Sequence, residues 1–184
     1  MKERRQQSHL SFRLMALAFR LRDALWPPVR ILQEAGVKPG MTVLDFGCGP
    51  GSFTLAAAGL VGPEGRVYAF DIHPLALASV RRGAAKRSLN NVHAIDSGAL
   101  GGIPHGSVDL ILLYDVLHDI PGDASALANL RQLLKLRGVL SVSDHHLKEN
   151  TLIAAIANGG LFIPAGRGRW TYRFVPAKSS EAAP

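Results

Sequence analysis

The chain has 184 residues, of which 47% are hydrophobic and 19% charged. That is enough apolar material for one packed domain. A single cysteine excludes an internal disulfide and points to a reducing, cytoplasmic setting, and no run of about 18 apolar residues exists to span a bilayer. Residues 1–30 hold seven Lys or Arg and two acids, so five of the seven net positive charges sit on an N-terminal arm. Such an arm can meet an anionic surface, nucleic acid or lipid.

Residues 1–9 are polar and are expected to fray. Phe12 to Leu25 reads as a helix, with Leu10, Leu14, Leu17, Leu21 and Leu25 on one stripe and Ser11 as its cap. Its apolar core, Leu14 to Phe19, is too short for a signal sequence and is followed by Arg20 and Arg22. Pro27 and Pro28 end this helix, and Pro28 opens a second, Val29–Ala35, which Gly36 terminates. Residues 1–36 therefore form an N-terminal helical arm or lid.

From Met41 strands and helices alternate. The expected elements are strand Thr42–Phe46, helix Ser52–Gly59, strand Arg66–Asp71, helix Pro74–Arg87 and strand Val92–Ile95. Val108–Tyr114 follows as a continuous apolar strand that suits burial on both faces. Then come helix Ala124–Leu136, strand Val139–Asp144, helix Thr151–Asn158, and a closing hairpin of Phe162–Ile163 with Trp170–Val175. Residues 37–176 make one domain and 177–184 a loose tail. Repeated strand–helix–strand units predict an α/β fold with a doubly wound, mostly parallel sheet. Ligands of such sheets sit beyond the carboxyl ends of the strands.

The segment after the first strand is Asp45-Phe46-Gly47-Cys48-Gly49-Pro50-Gly51. A dinucleotide loop spaces its glycines G-x-G-x-x-G; here the third comes one residue early and an acid precedes the first. A carboxylate would repel a pyrophosphate and welcome a cation. The glycines let the backbone approach a ligand closely, while Cys48 suits packing. Asp71, at the tip of the second strand, can accept both hydroxyls of a ribose, with Ile72 beside it to cover a base. Asp96 follows the third strand and can meet an adenine amino group. An adenosine with a cationic amino-acid tail answers this pattern, as S-adenosylmethionine does.

With those residues in place the chain resembles a class I, Rossmann-like S-adenosylmethionine-dependent methyltransferase, of the type 11 or ubiquinone/menaquinone kind. "VLDFGCGPG" is similar to the first motif of that family, "VYAFDIHPLAL" to the second, "IDSGAL" to the third and "VDLILLYDVLHDI" to the fourth. "LRQLLKLRGVLSVSDHH" is similar to its helix-turn-strand segment, with Leu136 and Arg137 where proline and glycine are common. The resemblance implies a seven-stranded sheet ending in an antiparallel hairpin strand. It implies cofactor contacts from Asp45, Gly47, Cys48, Gly49, Gly51, Asp71, Ile72, Asp96, Ser97 and Tyr114, with S-adenosylhomocysteine as product.

Methyl transfer from a sulfonium needs positioning above all, and a base only when the nucleophile carries a proton. Tyr114, His118 and His145, beyond the fourth and fifth strands, are the candidates for catalysis, with Asp115, Asp119, Asp144 and His146 nearby. No metal site is expected, because adjacent histidines on a strand end point apart. The tetrapeptide Tyr114-Asp115-Val116-Leu117 lacks the two prolines that mark transfer to planar amino nitrogens. With its only cysteine in the glycine loop, the chain also has no nucleophile for pyrimidine C5 and no thiolate set for arsenite. The expected acceptor is a small aromatic, quinone-like or lipophilic molecule. The alternatives are a module that binds the cofactor without methyl transfer, and a methyltransferase acting on RNA or a membrane-associated lipid or quinone through the basic arm. A nicotinamide-dependent oxidoreductase is disfavoured by Asp45 and the glycine spacing. The leucine stripe of the arm, with Phe12, Met15 and Phe19, could close over a ligand, pack on the domain or join a second copy as a homodimer.

Overall fold

The computed structural model describes residues 27–96, 99–120 and 125–177. The expected helix Phe12–Leu25, Ser97 and the tail beyond Ala177 lie outside them. In chain order the elements are α1 (Pro28–Ala35), β1 (Thr42–Phe46), α2 (Ser52–Val61), β2 (Arg66–Phe70), α3 (Pro74–Lys86), β3 (Val92–Ile95), β4 (Val108–Tyr114), α4 (Ser125–Leu133), β5 (Leu134–Ser143), α5 (Glu149–Ala157), β6 (Phe162–Arg167) and β7 (Tyr172–Pro176). Single 3-10 turns stand at Leu100–Gly102 and Leu117–Asp119. Among the described residues no helix is long and apolar enough to cross a membrane.

The strands form one seven-stranded sheet in the order β3-β2-β1-β4-β5-β7-β6. β1 to β5 pair in parallel, and β7 runs antiparallel to both β5 and β6. The order reverses between β1 and β4, so their carboxyl ends open the crevice where a ligand belongs. Period-two alternation sorts the core. Val43, Leu110, Leu112 and Tyr114 pack on one face with Leu32 and Ala35 of α1 and Ala57 and Ala58 of α2. Leu44, Ile111 and Leu113 pack on the other with Leu130 of α4 and Leu152 and Ile156 of α5.

The boundary between α4 and β5 departs from expectation. The helix ends at Leu133, and the strand starts at once with Leu134, paired to Val108. The pairing then jumps to Leu110 with Val139. The intervening Lys135, Leu136 and Arg137 bulge outward, Leu136 being 84% exposed. The "KLRG" segment is thus a bulge inside a strand rather than a turn ahead of one. Lys135 is fixed there by Asp109, Nζ to Oδ1 2.6 Å.

α1 packs on the sheet: Leu32 is fully buried among Val43, Ala57 and Leu110. Its Glu34 holds the loop between β6 and β7. The carboxylate accepts the N–H groups of Arg169 (2.8 Å), Trp170 (2.9 Å) and Thr171 (3.0 Å), and the Thr171 hydroxyl at 3.0 Å. Burial pushes its pKa up, but these four donors outweigh it and hold the group below the ordinary value. Glu34→Ala should lower stability at neutral pH by about 2 kcal/mol, since hydrogen bonds to a charge are worth more than neutral ones. A depressed carboxyl pKa stabilises above the unfolded value and is lost as pH falls through the folded one. The deficit against the parent should therefore shrink in acid, and denaturation of both proteins at neutral pH and at about pH 3 would read it. Equal stability at neutral pH would remove the clasp.

Candidate active site

β1 feeds the glycine loop. Gly47, Gly49 and Gly51 all have positive φ, at 81°, 51° and 98°, which the mirror-image turns of the loop require. They differ in what they face. A Cβ on Gly47 would lie 2.7 Å from Val116 Cγ2, whereas on Gly49 it would meet nothing within 4 Å. Gly47 lets the residue after β4 pack against the loop, and Gly49 borders open space.

The loop is stitched to the end of β2. The N–H groups of Gly47 and Cys48 both donate to the Phe70 carbonyl at 2.9 Å. Asp71 completes the seam: Oδ2 accepts the Gly49 N–H at 2.9 Å and Oδ1 the His73 N–H at 2.8 Å. One bond on each oxygen leaves each with acceptor capacity. Beside it Ile72 is 61% exposed. Asp96 lies exposed just past β3.

Asp45 sits behind the loop, 2% exposed. Its Oδ2 takes the Thr54 hydroxyl at 2.5 Å, and the Thr54 N–H also reaches it. Burial pushes its pKa up to about 6; the Thr54 bonds oppose that and the charge of Asp71 adds to it. Two mutually repelling carboxylates make this loop electronegative, which suits a cationic ligand and not a pyrophosphate. Burial, with Asp45 and Asp71 nearby, pushes the Cys48 thiol far above the thiolate range. It is a packing residue with no nucleophilic character.

The tips of β4 and β5 bring two aspartate–histidine pairs together. Asp115 adopts a left-handed φ of 52°, uncommon outside glycine and frequent at functional sites. Its N–H donates to the Ser143 carbonyl at 2.7 Å, and its Oδ1 meets His145 Nδ1 at 2.7 Å. Asp144, nearly buried, accepts three times: the His118 N–H (3.1 Å), the His118 Nδ1 (2.8 Å) and the His146 N–H (3.0 Å). Although burial raises the Asp144 pKa, those bonds hold it below the usual range. An ionised carboxylate only accepts, so His118 Nδ1 carries the proton and Nε2 is left as the basic nitrogen. The bond to Asp144 raises the His118 pKa against its partial burial, and the charges of Asp144, Asp119 and Asp115 add to it. The ring of His146 lies between the other two, with centroids 4.2 Å from His118 and 3.9 Å from His145.

Two expectations are corrected here. Tyr114 is not a candidate base or a cofactor contact through its side chain. Its ring is buried in the core against Phe53, and its hydroxyl bonds Ser141 Oγ at 2.9 Å. Burial pushes its pKa up out of reach. The adjacent histidines do not point apart, because β5 ends at Ser143 and residues 144–147 turn. Strand alternation stops there, and the His145 and His146 rings come together, centroids 3.9 Å apart and tilted by 40°. Sequence reasoning missed Glu34 altogether, since nothing local marks a carboxylate whose partners lie 135 residues and more away.

Residues 37–164 match the family described as methyltransferase domain. The chain is 29% identical over 110 residues to the demethylmenaquinone methyltransferase of Geobacillus stearothermophilus, covering 59% of this chain and 47% of that protein. It spans less than half the length of the first curated relatives it matches. Among solved structures it is similar to a SAM-dependent methyltransferase of Aquifex aeolicus, with TM-score 0.73 and 24% identity over 85% of this chain and 92% of that one. A Methanococcus maripaludis protein assigned as an S-adenosyl-L-methionine-dependent methyltransferase matches over 100% of both chains, with TM-score 0.79 and 14% identity. These two likenesses carry the fold, and the match over residues 37–164 carries the family: the chain belongs to the methyltransferase domain family.

Proposed function

We propose that this chain binds S-adenosylmethionine and transfers its methyl group to a small-molecule acceptor that carries a proton on its nucleophile. The carrying observation is the seam at Asp71. A carboxylate with spare acceptor capacity joins an open, electronegative glycine loop to the tip of the second strand. The residues fit the cofactor: Asp71 for the ribose, Ile72 and Asp96 for the adenine, the loop around Gly49 for the amino-acid tail. Asp45 supports the tail's charge from behind the loop. When bound, S-adenosylmethionine supplies a methyl group on a sulfonium that leaves as a neutral thioether.

The chain's own part on the acceptor side falls to His118. Asp144 orients the ring and fixes its tautomer, so that Nε2 takes the acceptor's proton. Asp119 Oδ2, 3.6 Å from Nε2, steadies the imidazolium that results. The His145–Asp115 pair is more open, its histidine side chain 68% exposed, and lies on the path to solvent.

Calorimetry with S-adenosylhomocysteine and with NAD tests the reading. Micromolar or tighter binding of the former and none of the latter is expected, since the carboxylates of Asp45 and Asp71 at the glycine loop repel a pyrophosphate. The reverse order would sink the assignment.

A further inference from the structure

A cavity of about 190 Å³ lies between the β5 tip and the β6–β7 hairpin. Asp144 and His145 form its inner wall, and Arg167, Arg169, Trp170 and Tyr172 its outer one. Its wall therefore includes His145 and Asp144, the carboxylate that holds the His118 ring. A cavity of about 150 Å³ holds one benzene ring, so this one fits a single substituted ring.

The outer wall is cationic and aromatic in a repeated pattern. The Arg167 guanidinium lies 5.2 Å from the Tyr172 ring centre, and that of Arg169 lies 5.1 Å from the Trp170 ring centre. Stacking uses the flat face of a guanidinium and leaves its in-plane N–H fork free. Arg167 already spends a donor on Glu149, Nη1 to Oε2 2.7 Å. Arg169 makes no ion pair and no side-chain hydrogen bond among the described residues. Its backbone is nonetheless held firmly, because Glu34 grips the N–H groups of residues 169–171. A pre-set loop that offers an unspent planar fork beside an aromatic ring is built for an oxyanion that accepts two parallel N–H bonds.

We propose that the methyl acceptor is a small aromatic anion, a carboxylate or a phosphate ester, whose charged group is read by Arg169. This rests on the methyltransferase reading above and narrows the small aromatic, quinone-like or lipophilic acceptor expected from sequence. The ring lies along Trp170, and its nucleophile points to the Asp144 and His145 wall, next to the His118 ring that Asp144 holds.

The test is calorimetry on the full chain with four probes: 3,4-dihydroxybenzoate, phenyl phosphate, catechol and phenol. Each is titrated in the presence of saturating S-adenosylhomocysteine, on the parent, Arg169→Ala and Arg169→Lys. At least one anion should bind about tenfold or more tighter than its neutral counterpart, weakening with added salt. Arg169→Ala should erase that preference, and Arg169→Lys should retain only part of it. The affinity for S-adenosylhomocysteine serves as the folding control. Preference for the benzoate or for the phosphate ester distinguishes the two anion classes. Equal binding of anion and neutral partner, no binding of any probe, or a preference that survives Arg169→Ala would overturn the proposal. If S-adenosylhomocysteine binds while the anion preference is absent, only the acceptor class fails. If it does not bind, the methyltransferase reading itself is lost.

Discussion

Replacing Asp71 by alanine should weaken S-adenosylhomocysteine binding about 100-fold or more. Two effects combine. A carboxylate accepting both ribose hydroxyls makes two charge-assisted hydrogen bonds, each worth about 1.5–3 kcal/mol when a partner is removed. The same carboxylate holds the Gly49 N–H and the His73 N–H, so its loss also frees the loop that receives the amino-acid tail. Asp71→Asn separates the two. Its amide keeps one acceptor oxygen but turns an N–H₂ toward one of two groups that are both donors. It should fall between the parent and alanine. Calorimetry reads the affinities, and a melting curve without ligand reports the loop's share. Parent-like affinity in Asp71→Ala would remove the ribose assignment even if the melting temperature dropped.

The parts of this molecule that were legible in the sequence are those that one local rule decides. Thr42–Phe46, Val92–Ile95 and Val108–Tyr114 appear with the expected bounds, because a short apolar run between turn residues has few alternatives. The glycine spacing and the acids at positions 45, 71 and 96 marked the crevice. Parity also put Tyr114 on the core face with Leu110 and Leu112; weighing its side-chain chemistry ahead of that parity is what made it look catalytic. The α4–β5 junction was hidden because the outward bulge at Lys135–Arg137 depends on the neighbouring strand's register. The contact between the His145 and His146 rings was hidden because it depends on where β5 ends. Glu34 and the turn it grips are separated by most of the chain, and no pattern within a window can join them.

Replacing Asp144 by asparagine should cut the plateau of kcat/KM for a hydroxyl acceptor about 100-fold, the usual share of a general base. It should also move the pH profile in a fixed direction. His118 accepts a proton only when neutral, so activity rises as pH climbs through its pKa. In the parent Asp144 raises that pKa, which sets the acid limb above the ordinary histidine value of about 6.5. Without the carboxylate the limb should shift to lower pH, toward that value, while the plateau falls. A purely structural loss would lower the plateau and leave the limb in place. His118→Gln should lower the plateau by a similar factor and abolish the limb. His145→Gln should cost far less, because that ring is exposed and its partner Asp115 lies in a separate pair. A full loss in His145→Gln with little change in Asp144→Asn would reverse the roles of the two pairs. The rate is read as S-adenosylhomocysteine formed, and the two pairs are then told apart by which variant moves the limb.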